Sequence, residues 1–168
     1  MKLAGAITIV LSCLYAAVLW NRTRKERIST LEGLIRCLNV MEAELGGKAS
    51  PLPGIMALLS REEGTAGLFF ASVSKELDKL GMRPFYEIWN TAAHTRLQTL
   101  SDTDREAVAA LGRALGRYPL PMQLEAVIAC REGLREKLHA ERQANREQTR
   151  LSWALALSFG FLLWIVLI

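Results

Sequence analysis

Few residues of this chain have the types and the spacing that enzyme chemistry requires. An active site needs a nucleophile beside a base, clustered metal ligands or a loop that cradles phosphate. The two histidines, His94 and His139, lie far apart, and neither has a cysteine or another histidine at short spacing. The chain also lacks a glycine-rich loop ending in Lys-Ser or Lys-Thr, the pattern typical of nucleotide binding. We therefore predict that the protein is not an enzyme and takes no metal and no cofactor.

The cysteines are odd in number and widely separated, at Cys13, Cys37 and Cys130. Their spacing is not that of a zinc site, and a scattered set of three does not make a disulfide framework. Such a set fits a reducing compartment.

Two of the carboxylate pairs at a spacing of two residues could be taken for acid–base sites. Side chains two positions apart on a helix point in directions about 200° apart, so Glu42 and Glu44 cannot share one acid–base site. Asp102 and Asp104 have the same spacing and follow Ser101 at the start of a helical pattern. We interpret these two aspartates as part of a capped helix start, where negative charge is favourable.

Five positions are left as candidates for docking or for a structural role. Glu42, Glu44 and Gln123 are polar positions on otherwise apolar helices, so each is either a solvated helix edge or a contact for a partner. Gly112 and Gly116 lie one turn apart on a helix, which suggests close helix packing and a cap.

The segment between the apolar ends is typical of helices separated by glycine and proline, and it shows no strand alternation. Its apolar stripes predict an all-α fold of six helices around one core. Ser50 followed by Pro51 predicts an N-cap and a proline in the first helical turn. The other predicted breaks lie at Gly46-Gly47, Gly81, Pro84, Gly116, Pro119 and Pro121.

The two ends of the chain carry no charge. Leu3–Trp20 and Leu151–Ile168 each have 18 apolar or uncharged residues, and every charge except Lys2 lies between them. Such a stretch is about 27 Å of helix, close to a hydrocarbon core of about 30 Å. We predict one transmembrane helix at each end. A cleaved signal peptide or lipoprotein processing at Cys13 is the alternative for the first stretch, but the apolar run continues to Trp20.

Basic residues flank both apolar ends on the side of the central domain, residues 21–138. Because positive charge stays on the cytoplasmic side of a membrane, we predict a cytoplasmic central domain in a multi-pass membrane protein. The basic run Arg22–Arg27 has no interleaved aromatics, so contact with anionic lipid explains it better than nucleic acid. Residues 139–150 have no apolar group larger than alanine and predict a polar helical stalk about 18 Å long.

The second apolar end carries a row of small residues at four-residue spacing, Ser152, Ala156 and Gly160. Small residues at this spacing let membrane helices approach closely. The row is therefore a candidate packing face, although small residues are also common in membrane spans.

Two short elements and a few later positions carry a family resemblance: Glu42-Ala43-Glu44-Leu45, Pro51-Leu52, Leu111-Gly112-Arg113-Ala114-Leu115-Gly116, Gln123 and Leu134. On these residues the chain resembles the stage III sporulation protein AB family over essentially its whole length. One departure is Pro119, where the family pattern has an acidic or other polar residue.

The resemblance implies a role in the channel-like apparatus that joins the mother cell to the engulfed forespore. It also implies a domain similar to the cytoplasmic domains of F-type platform proteins in type II secretion and type IV pilus systems. On that basis the partner is a cytoplasmic ATPase, the stage III sporulation AA protein, together with other components of the apparatus and membrane lipid. The domain would sit in the mother-cell cytoplasm, with Glu42, Glu44, Gly112, Gly116 and Gln123 as docking or structural positions.

Two other functions are weighed against this one. A platform component of a general secretion or pilus system usually has duplicated domains and more spans, whereas this chain has one domain and two spans. A membrane-bound enzyme with an unrecognised site is the third hypothesis, and the lack of a catalytic cluster counts against it.

Overall fold

The computed structural model describes residues 2–48, 50–77 and 82–167, and within them the side chains of 22–47, 50–77 and 82–145. The described residues form six α-helices in chain order, which confirms the predicted all-α class. The helices are α1 (Lys2–Lys48), α2 (Leu52–Leu59), α3 (Gly64–Glu76), α4 (Phe85–Arg96), α5 (Asp102–Arg117) and α6 (Leu120–Leu167).

The two long helices, α1 and α6, form the frame of the domain and run antiparallel. Arg27 of α1 pairs with Glu141 of α6, whereas Gly46, near the end of α1, lies against Leu124, near the start of α6. Of the four shorter helices, α2 and α3 pack against α1 and against each other, α4 packs on α3, and α5 lies between α4 and α6.

The apolar stripe of α1 is buried, as its spacing of three and four residues predicts. Its buried members are Leu31, Leu34, Ile35, Leu38, Met41 and Leu45. They meet an aromatic cluster in which Trp89 contacts Phe69 edge to face, with ring centroids 4.9 Å apart. The indole Nε1 of Trp89 donates to the carbonyl oxygen of Val108 at 2.7 Å, so the ring is both buried and hydrogen-bonded.

The helix starts follow the sequence signals at two of three places. Ser101 is the N-cap of α5, and its side chain accepts from the backbone N–H of Asp104. Pro84 immediately precedes α4 in an extended conformation. The prediction that Ser50 caps α2 is wrong, because Pro51 occupies the N-cap position. Ser50 lies one residue before the N-cap, and its hydroxyl donates to the Glu44 carboxylate at 2.7 Å.

The residues predicted to form the stalk begin beside α1. Leu138 is buried, and the next turn pairs with α1 through Glu141 to Arg27 and Arg142 to Glu32. The first half of this segment is therefore one side of a helix pair. The side chains beyond residue 145 lie outside the description.

Within the part of the chain whose side chains are described, no helix is both long and apolar enough to cross a membrane. The predicted spans at 3–20 and 151–168 fall outside that part, and so does the small-residue row Ser152, Ala156 and Gly160. The predicted break at Gly81 also lies outside the described residues.

Candidate docking site

Glu42 ties the two long helices together. Its carboxylate is ion-paired with Arg131 of α6, and Asn39 accepts a second hydrogen bond from the same guanidinium at 3.2 Å. Arg131 also binds Glu132 at 2.7 Å, and this hydrogen bond lowers the pKa of the Glu132 carboxyl. The carboxylate of Glu42 is thus engaged within the domain.

Glu44 holds the chain that leaves α1. Its carboxylate accepts from the Ser50 hydroxyl, and its backbone carbonyl accepts from the Ser50 N–H at 3.2 Å. Both bonds fix the turn before α2.

Gly112 and Gly116 make room for the aromatic side chains of α4. A Cβ built at Gly112 would overlap the Cβ and ring atoms of Trp89, and one built at Gly116 would lie 3.3 Å from Cδ1 of Phe85. The two glycines are one turn apart, so they give α5 a smooth strip on which α4 packs closely. Helix α5 itself continues to Arg117, one residue past the predicted end.

Gln123 fastens the end of α5 to the start of α6. Its Nε2 donates to the carbonyl oxygens of Leu115, at 3.2 Å, and Tyr118, at 2.7 Å. These carbonyls belong to the last turn of a helix and the residue after it, where no helical N–H remains to pair with them. Gln123 therefore acts as a side-chain cap for α5.

The five candidate positions do not form one cluster. Glu42 and Glu44 lie on α1, whereas Gly112, Gly116 and Gln123 all fix the position of α5 relative to α4 and α6. The second group therefore shapes one particular surface, the end of α5.

That surface holds a groove between α4 and α5 with a volume of about 540 Å³. Its walls carry Tyr86 and Tyr118, two exposed aromatics, together with Arg113 and Arg117. Gly116 lies in its lining, so the glycine that admits Phe85 also shapes the groove. We call this feature the α4–α5 groove.

Reasoning from the sequence missed the α4–α5 groove, although part of its signal was present. Arg113 and Arg117 are four residues apart and therefore share a helix face. Tyr86 could not be assigned from sequence, because its proximity to Tyr118 depends on how α4 crosses α5.

A buried ion pair at the other end of α5 was also missed. Arg27 Nη2 of α1 lies 3.1 Å from Oδ2 of Asp104, whose side chain is 3% exposed, and Arg27 Nη1 lies 3.1 Å from Glu141. The Ser101 hydroxyl donates to the same Asp104 carboxylate at 2.5 Å. Asp104 therefore does more than mark a helix start, because it binds α5 to Arg27 of α1, and Arg27 in turn binds Glu141 of α6.

The titratable side chains of the described residues that could bind a metal lie farther apart from one another than a metal site allows. In the described ranges, no three His, Cys, Asp or Glu residues are close enough to hold a metal ion. His94 lies 3.5 Å from Glu106 at the surface. Burial raises the pKa of Cys37 to about 12 and that of Cys130 to about 11, so both thiols are protonated and unreactive near neutral pH.

Comparison with known proteins gives two matches. The family model for stage III sporulation protein AB matches residues 2–168. A solved structure titled stage III sporulation protein AB superposes with a TM-score of 0.65 and 21% sequence identity, covering 73% of this chain and 98% of that one. At this identity the superposition establishes the fold. A comparison with curated proteins found no match.

The family match extends over both elements that carry the sequence resemblance and over the whole α4–α5 groove. It brings with it a role associated with sporulation. The chain belongs to the stage III sporulation protein AB family.

Proposed function

We propose that this protein is a non-enzymatic membrane platform in the apparatus that joins the mother cell to the forespore. Two terminal helices anchor it in the mother-cell membrane around the forespore, and its cytoplasmic domain docks the stage III sporulation AA ATPase. The antiparallel pairing of α1 and α6 is the observation that carries this proposal.

The pairing supports the view that one particular end of the domain faces the bilayer. Arg27 lies beside Glu141, and Glu42 lies beside Arg131, so the start of α1 and the end of α6 point the same way. If both helices continue straight, α1 enters the domain and α6 leaves it at the same end. The two charge-free stretches of the sequence then lie beyond that end. A two-point anchor of this kind restricts rotation of the domain, as a platform requires.

The opposite end is then turned toward the cytosol. At about 1.5 Å per residue, the helix from Leu120 to Leu151 is about 46 Å long. The turn between α5 and α6, with the α4–α5 groove beside it, lies at this far end. A soluble ATPase can reach such a surface without contacting the membrane.

The docking proposal is tested with the full chain in lipid nanodiscs and the purified ATPase. We expect saturable binding by interferometry, with no binding to empty nanodiscs or to nanodiscs holding an unrelated two-span protein. Failure of the ATPase to bind the full chain would remove it as the partner.

A further inference from the structure

The α4–α5 groove presents positive charge that the domain itself does not neutralise. Among the residues that the structure describes, neither Arg113 nor Arg117 has an ion-pair or hydrogen-bond partner for its side chain. Other arginines of the same domain are paired with carboxylates: Arg27, Arg36, Arg83, Arg105, Arg131, Arg135 and Arg142. A fold that pairs most of its arginines leaves two adjacent ones free at one groove.

Apolar and aromatic surface surrounds these two charges. Tyr86 and Tyr118 are 46% and 48% exposed, and Leu120 and Met122, just after Tyr118 in the chain, are also exposed. Exposed apolar surface of this kind marks interaction sites. Tyrosine and arginine are also the residue types that contribute most to binding energy at protein interfaces.

We propose that the α4–α5 groove binds an acidic segment of a protein partner, one with two carboxylates about a helical turn apart beside a large apolar side chain. Residues four apart on a helix have Cβ atoms about 6 Å apart, so carboxylates at the same spacing can face Arg113 and Arg117 together. The apolar side chain enters between the two tyrosines. This inference rests on the proposed function, because it names the surface that docks the cytoplasmic partner.

The charge of Glu106, beyond the Arg113 end of the groove, limits where the acidic segment can lie. Beyond Arg113 the cleft continues past Tyr86 to His94 and Glu106. The Glu106 carboxylate, which lies 3.5 Å from His94, disfavours a second acidic group there. The electrostatic potential therefore favours a carboxylate only in the half of the cleft that holds Arg113 and Arg117.

A lipid headgroup offers similar charge, but the position of the groove favours a protein. Asp104, in the first turn of α5, binds Arg27, the last residue of the basic run at the start of the domain, whereas Arg117 ends the same helix. Arg113 and Arg117 thus lie at the end of α5 that points away from the proposed anchor. With the bilayer about 46 Å from the start of α6, headgroups do not reach the groove.

The test compares two charge reversals of equal size in the full chain. R113E/R117E changes the groove, and R61E/K137E changes two basic residues that are exposed and, in the described part of the chain, likewise have no side-chain partner. In nanodiscs we expect R113E/R117E to weaken ATPase binding by about tenfold or more and R61E/K137E to change it by less than about twofold. Melting temperatures of both variants serve as the folding control, and R113Q/R117Q replaces the reversal if R113E/R117E does not fold.

A crosslink identifies the chemistry of the partner directly. In R113K/R117K the positions keep their charge and gain amines that carbodiimide couples to carboxylates, with loss of water, whereas the wild-type guanidinium groups do not couple. We expect peptide mapping to place bonds from positions 113 and 117 to Asp or Glu of the ATPase in this variant only.

The outcomes separate this inference from the proposed function. Equal ATPase binding by wild type, R113E/R117E and R61E/K137E would leave the docking proposal intact and overturn the groove. If wild type does not bind the ATPase, the proposed partner is wrong, and spore yield then tests whether the groove is a binding site. A lower spore yield in R113E/R117E alone supports the groove. Equal yields in all three proteins overturn it. Binding of phosphatidylglycerol vesicles that is lost only in R113E/R117E would overturn the protein partner in favour of lipid.

Discussion

Arg27 of α1 binds the nearly inaccessible carboxylate of Asp104 on α5 through Nη2, at 3.1 Å. The same guanidinium reaches Glu141 of α6 through Nη1, so one side chain joins three helices. Because the Ser101 hydroxyl also donates to Asp104, the carboxylate has partners on two elements. Removing it leaves the Arg27 guanidinium, which is itself largely covered, without one of its two carboxylate partners.

We expect Asp104→Ala to destabilise the domain by about 2 kcal/mol, the range for a hydrogen bond to a charged group. Asp102→Ala is the matched control, because Asp102 is 89% exposed and, among the residues that the structure describes, its carboxylate pairs only with Arg105. A surface pair of this kind contributes about 0.5 kcal/mol. Urea unfolding of the full chain in detergent, followed by circular dichroism, measures both. Equal midpoints for the two variants would contradict a structural role for the Arg27–Asp104 pair.

The sequence predicted the local elements of this fold better than their mutual positions. The stripe from Leu31 to Leu45 identifies the buried face of α1, because a helix with one buried face repeats its apolar residues every three or four positions. That repeat is visible in the sequence of the helix alone. Ser101 identifies the start of α5 for a similar reason, since its hydrogen bond closes within one turn. Arg27 and Asp104 are distant in sequence, and their contact depends on the packing of three helices.

The five candidate positions show the same limit. Gly112 suggested close packing, but only the structure identifies Trp89 as the group that needs the space. The sequence leaves Gln123 as a solvated edge or as a docking or structural position, and the structure shows that its amide caps α5. The groove residues Arg113 and Tyr86 come from different helices, so no single spacing in the sequence could join them.

Gly112→Ala is expected to destabilise the domain by about 2 kcal/mol, because the added methyl group overlaps Trp89 and overpacks the core. Gly133→Ala is the control, and we expect it to change stability in the opposite direction. Gly133 is exposed on α6, with open space around the Cβ position, so alanine should stabilise the helix by about 1 kcal/mol. Denaturant midpoints of the two variants should move in opposite directions. A Gly112→Ala midpoint at or above wild type would show that α4 can shift without cost.

The Glu42–Arg131 pair separates a structural role from a docking role for Glu42. We expect Glu42→Arg to lower stability by about 1 kcal/mol, since the pair is partly exposed and the variant places two cations together. The swapped variant E42R/R131E restores the pair in reverse but removes the Arg131–Glu132 ion pair, so it should recover only part of that loss. ATPase binding is then measured for both variants. Binding that recovers with the swap assigns Glu42 to the frame, whereas binding that stays low in the swapped variant assigns its carboxylate to the partner.

Cys37 makes the stability of the domain fall at alkaline pH, and the effect can be measured by comparing wild type with Cys37→Ala. Burial raises the pKa of its thiol from 9.0 to about 12 in the folded protein. A thiol with a raised folded pKa contributes stability that is fully present below the unfolded pKa and is lost as pH rises toward the folded one. Between pH 9 and pH 10 we expect wild type to lose about 1 kcal/mol more than Cys37→Ala. Parallel pH profiles for the two proteins would show that Cys37 is accessible to solvent and ionises freely.

The proposed anchoring predicts that both termini lie across the membrane from the domain. Alkaline phosphatase fused at Met1 or after Ile168 should be active, because it requires an oxidising compartment, whereas the same enzyme inserted at Met82 should be inactive. Met82 is suitable because its side chain is 90% exposed in the connection before α4, so an insertion there need not disturb the core. A fluorescent protein that folds in the cytoplasm should give the opposite pattern at the three sites. Phosphatase activity at Met82, or its absence at both termini, would contradict the two-point anchor and the platform that depends on it.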